Sequence, residues 1–102
     1  MLNINVLYIY PEIIEVNKER NLFRIIDNNI KETIIVFCIK KESKYEINLT
    51  NTLTGQVIYI CKANTLEELD KVIIKFKEIE GDFSMLNNLQ EIEKYILKLF
   101  KK

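Results

Sequence analysis

Residues 34–50 read IIVFCIKKESKYEINLT, and the contrast between the two halves of this stretch decides the fold. From Ile34 to Ile39 every position is apolar, the pattern of a central strand covered on both faces. Residues 44–50 instead alternate, with Tyr45, Ile47 and Leu49 pointing one way and Lys44, Glu46, Asn48 and Thr50 the other. Lys41, Glu42 and Ser43 between them turn the chain, so the two halves form an antiparallel hairpin. A turn over those three residues sets Ile39 opposite Tyr45, Phe37 opposite Ile47 and Ile35 opposite Leu49, which gives one wholly apolar face.

Moving towards the C-terminus, residues 51–55 (NTLTG) are turn chemistry. Asn51 suits the start of a type I turn and Gly55 the left-handed position of a bulged hairpin. The next strand then sets Ile58 against Leu49 and Ile60 against Ile47. Val57, Tyr59 and Cys61 fall on the back of the sheet beside Ile34, Val36 and Cys38; a loop one residue longer swaps the two sets. Thr65-Leu66-Glu67-Glu68 is a capping box, followed at helical spacing by Leu69, Val72, Ile73, Phe76 and Ile79, with Gly81 as the expected stop. A second helix starts near Asn87 or Asn88 and carries Leu89, Ile92, Ile96, Leu99 and Phe100 on one stripe.

On the N-terminal side, residues 1–10 read as a strand with Ile4, Val6, Tyr8 and Tyr10 on one face and Leu7 and Ile9 on the other, stopped by Pro11. Residues 12–32 admit two readings. Ile13, Ile14 and Val16, then Leu22 to Ile26, fit two short strands; Leu22, Ile26 and Ile30 fit a short helix. The density of β-branched residues and the turn-forming Asp27-Asn28-Asn29 favour strands. The expected fold is therefore α+β: one domain over residues 1–102, an antiparallel meander of four to five strands with two C-terminal helices packed on one face.

Composition narrows function mainly by exclusion. Fifteen basic residues balance fifteen acidic ones, so no long-range field draws the chain to nucleic acid or an anionic membrane. The longest apolar run is far short of the ~20 residues that span a bilayer. With no basic leader in the first ten residues and two cysteines inside apolar runs, the chain reads as cytoplasmic, with reduced thiols. The abundance of Ile, Lys, Glu and Asn points to a low-GC bacterial host, its phage or a plasmid.

Histidine is absent, which removes the commonest general base and metal ligand together with Ser-His-Asp, Cys-His and zincin chemistry. The only glycines, Gly55 and Gly81, stand far apart, so no phosphate-cradling loop exists. Asp27 followed by Glu42-Ser43-Lys44 has the residue order of restriction-type nucleases, but the acid-x-lysine element falls in a turn rather than on a strand. Cys38 and Cys61, on the two strands flanking Glu46, stand about 9.6 Å apart, beyond the ~7 Å reach of a disulfide. No enzyme activity, cofactor or metal is expected, and binding is the mechanism that remains.

Two surfaces are candidates for it. Residues 78–83 place Glu78, Glu80 and Asp82 around Phe83 between the helices, an aromatic anchor ringed by charge suited to a basic, nucleic-acid-handling host protein. The back of the sheet, with Val36, Val57 and Tyr59, is either covered by residues 12–32 or forms a protein interface such as a homodimer. A nucleic-acid surface would draw on Lys71, Lys75 and Lys77 or on Lys94, Lys98, Lys101 and Lys102, all interleaved with glutamates as on ordinary solvated helix faces.

The strand–turn–strand leading into a capped helix, Tyr45 to Phe76 with Asn51 to Gly55 as its turn, resembles small phage and mobile-element proteins, among them anti-CRISPR inhibitors of bacterial defence. The resemblance spans about a third of the chain and rests on turn and cap signals that many folds share. It implies a stoichiometric inhibitor that binds a bacterial effector, and it carries over no site residue.

Overall fold

The computed structural model describes residues 2–9 and 15–100. Five strands, β1 (Ile4–Tyr8), β2 (Glu19–Asp27), β3 (Glu32–Lys41), β4 (Lys44–Asn51) and β5 (Val57–Ala63), are followed by α1 (Leu66–Phe83) and α2 (Leu89–Phe100). The sheet is an antiparallel meander in the order β1-β2-β3-β4-β5. This is the expected α+β fold. Residues 19–27 are strand, so the helical alternative for that stretch does not hold. The expected strand positions Ile13 and Ile14, like Tyr10 and Pro11, lie outside the described residues; Val16 forms an isolated parallel bridge to Lys40.

The β3–β4 register differs by one residue from expectation. Lys41 pairs with Lys44, so only Glu42 and Ser43 form the turn, and Glu42 takes a left-handed φ of 53°. A two-residue hairpin turn needs positive φ at its first central position, and no glycine or asparagine signals it here. Tyr45 then faces Lys40, Ile47 faces Cys38 and Leu49 faces Val36. A one-residue slip turns every β3 side chain over. Ile34, Val36 and Cys38 therefore lie under the helices, and Ile35, Phe37 and Ile39 on the back. Val36, expected on the exposed face, is fully buried.

The β4–β5 hairpin follows expectation at its turn. Gly55 has φ 74°, its amide and that of Thr54 donate to the Asn51 carbonyl, and Ile58 pairs with Leu49. Further along, a bulge opposite Ile47 and Asn48 displaces Ile60, so Cys61 and not Ile60 meets Ile47. That bulge returns Cys61 to the covered side while Val57 and Tyr59 stay on the back.

Both helices start where their caps predict. Thr65 Oγ1 accepts from the Glu68 amide at 3.1 Å while Glu68 reaches back to the Asn64 amide. Asn88 Oδ1 accepts from the Glu91 amide at 3.0 Å, and Glu91 reaches back to Asn87. Gly81 does not stop α1; the helix continues through it to Phe83. One interior glycine costs about 1 kcal/mol, less than burying Phe83 returns. Leu69, Ile73, Phe76 and Phe83 of α1 and Leu89, Ile92 and Ile96 of α2 pack on Phe23, Ile25, Ile34, Val36, Ile47 and Leu49. The Phe76 ring lies 4.2 Å from that of Phe23 and stacks on Phe100 at 4.4 Å.

Candidate interaction surface

Three cross-strand rows form the middle of the sheet face turned away from both helices. One runs Leu7, Arg24, Ile35, Thr50, Val57; the next Asn21, Phe37, Asn48, Tyr59; the third Glu19, Ile39, Glu46, Lys62. Its centre is apolar and largely shielded, with Phe37 buried and Ile35 and Ile39 half-buried. Its margins are open. Val57 is 64% exposed, Leu7 50% and Tyr59 46%. Arg24, between Leu7 and Ile35, has an enclosed Nε without a hydrogen-bond partner among the described residues. Of the expected face residues, Val57 and Tyr59 are on this surface and Val36 is not.

Next to Tyr59 the face closes into a hollow of about 670 Å³. It is lined by Val16 and Asn17, by the β3–β4 turn, and by Glu46, Tyr59 and Lys62. Lys41, Lys44 and Lys62 bring positive charge to it, against Glu42 and Glu46. Lys41 pairs with Glu46 at 3.5 Å. Partial burial first, and then the neighbouring Cys61 and Glu46, raise the Tyr59 hydroxyl above its ordinary pKa. The sequence shows these lysines but not the hollow, because residues from four separate segments meet there only through the strand order.

The second expected surface is not assembled. Glu78, Glu80 and Asp82 lie along the last turns of α1 rather than in a loop. Phe83 is 1% exposed and packs edge-on against Tyr95 at 6.4 Å, so it is a core residue and cannot anchor a partner. Asp82 accepts a hydrogen bond from the Tyr95 hydroxyl at 2.6 Å, which, with the nearby carboxylate charge, raises the Tyr95 pKa. The exposed hydrophobic residue between the helices is Met85, 81% exposed, two positions beyond the expected anchor. It sits in a polar stretch, outside both helical stripes, so the apolar spacing that located the core does not pick it out.

Two of the lysines expected for a nucleic-acid surface make internal contacts. Lys75 donates to the Leu99 carbonyl at 2.9 Å and lies over the Phe100 ring, and Lys77 lies over the Tyr8 ring. These contacts tie α1 to the end of α2 and to β1. Lys94 and Lys98 are exposed on α2, whereas Lys101 and Lys102 lie outside the described residues.

Asp27 and Glu42 do not form a nuclease site. Asp27 pairs with Glu32 at the start of β3, and Glu42 follows its far end. The strand between them spans ten residues, about 30 Å. Asp27 instead accepts from the Asn29 amide at 2.9 Å and shapes the β2–β3 turn. No group of three Cys, Asp or Glu side chains among the described residues is arranged to hold a metal ion. Cys38 and Cys61 are both free and flank Ile47, two strand spacings apart. Burial pushes the Cys38 thiol up to about 11 and raises that of Cys61. Among the described residues no helix is long and apolar enough to cross a membrane.

Comparison with protein-family models, with curated proteins and with solved structures finds no match to this chain.

Proposed function

We propose that the protein is a non-catalytic binding module that buries the open face of its sheet against a bacterial protein, in the manner of small inhibitors carried by phages and plasmids. One observation carries this reading: Val57 and Tyr59 are exposed beside the apolar centre formed by Ile35, Phe37 and Ile39, on the side away from both helices. Exposed apolar side chains grouped at the margin of an apolar sheet face mark a site for a partner protein. With Phe83 in the core, the α1 carboxylates lose the anchor on which a grip for a basic target depended, and the sheet face takes over that role.

The test is retention of a bacterial protein by the immobilised chain from a nuclease-treated low-GC lysate, with Tyr59→Glu and Val57→Asp as paired variants. Both substitutions fall on exposed sites, so folding monitored by circular dichroism is unchanged while retention is lost. A retained protein indifferent to both variants overturns the reading. Sedimentation of the isolated chain covers the remaining case: a dimer dissociated by Tyr59→Glu assigns the face to a second copy, and salt-sensitive recovery of nucleic acid alone assigns the chain to nucleic-acid binding.

A further inference from the structure

β5 is an edge strand, and apart from its ladder with β4 no residue of it makes a backbone–backbone hydrogen bond among the described residues. Such an edge is a template for another strand. On the open face this edge presents Val57 and Tyr59 and, past the bulge at Ile60, Lys62. Tyr59 and Lys62 of this strand also line the hollow. Within it Lys41 is paired to Glu46, but Lys44 and Lys62 make no ion pair among the described residues.

We propose that the β5 edge takes an extended, acidic segment of the partner protein; this rests on the open-face reading and specifies its chemistry. A strand laid beside β5 sends alternate side chains onto the open face, where apolar ones extend the surface of Val57 and Tyr59. The bulge disturbs the ladder beyond Tyr59, so the segment leaves the edge there and enters the hollow. Carboxylates on it meet the ammonium groups of Lys62 and Lys44, which outnumber Glu42, the one carboxylate of the hollow not paired with a lysine among the described residues, so the balance favours an acidic segment over a basic one.

The probes are fluorescein-labelled peptides alternating Glu with Val or Lys with Val, and labelled oligothymidylate, followed by fluorescence anisotropy at low salt. The Glu–Val peptide binds about tenfold more tightly than Lys–Val, the scale of a modest electrostatic discrimination, and Lys44→Glu with Lys62→Glu reverses the order. Equal binding of the two peptides, binding of neither at millimolar concentration, or a preference that survives the charge reversal overturns the inference. Oligothymidylate binding more tightly than the Glu–Val peptide also overturns it, and assigns the hollow to phosphates. If Tyr59→Glu abolishes partner retention but the peptides show no preference, this inference alone falls; if Tyr59→Glu leaves retention intact, the open-face reading falls with it.

Discussion

Replacing Phe83 with alanine separates a core residue from a surface anchor. The side chain is almost completely enclosed, in edge-to-face contact with Tyr95 and beside the buried residues of α2. Truncating a buried phenylalanine loses its transfer free energy and leaves a cavity, together costing about 3–5 kcal/mol. A domain of this size has roughly 5–15 kcal/mol in total, so the variant is marginal. With a urea dependence of about 1.5 kcal/mol per molar, the unfolding midpoint falls by roughly 2–3 M. Met85→Ala, two residues on and largely exposed, serves as the control and shifts stability by no more than about 0.5 kcal/mol. Urea titration followed by far-UV circular dichroism measures both. A loss below about 1 kcal/mol for Phe83→Ala, or a larger loss for Met85→Ala, would refute the packing derived for the end of α1.

Gly81→Ala is expected to stabilise by about 0.5–1 kcal/mol and to raise the thermal midpoint by several degrees. The position is inside α1, and a Cβ there meets nothing within 4 Å; a lowered midpoint would show a constraint on the backbone that the helix does not display. The buried thiol of Cys38 makes stability fall in alkali. Its pKa is raised from 9.0 to about 11, so its contribution is complete below pH 9 and is lost as pH rises towards 11. Cys38→Ala flattens that part of the stability–pH curve, and the thiol resists alkylation at pH 8 until the chain unfolds; ready labelling of the native protein would contradict its burial.

Elements with a strong local signal are legible from the chain alone. Thr65 with Glu68 and Asn88 with Glu91 mark the helix starts because a cap is made within one turn of sequence. The alternation of Tyr45, Ile47 and Leu49 identifies their covered face for the same reason, since period two is a property of the strand itself. Asn51 to Gly55 announces its turn through the one glycine in the chain that needs a positive φ. The class and order of the fold follow from those signals.

The face of β3 is a different matter. Ile34, Val36 and Cys38 are as apolar as Ile35, Phe37 and Ile39, so hydrophobicity is indifferent to a slip of one residue, and the register falls to a turn that Glu42 makes at positive φ without advertising it. The interhelix surface is illegible in the sequence for a related reason: Gly81 has the chemistry of a helix stop, but its local cost is small against enclosing Phe83 between the sheet and α2. The hollow beside Tyr59 has no local signature at all, because Val16, Glu42, Glu46 and Lys62 become neighbours only when the meander closes. Local hydrogen bonding and periodicity thus settle which elements exist, while the choice of buried face and the assembly of the surface depend on long-range packing that no short window of the chain contains.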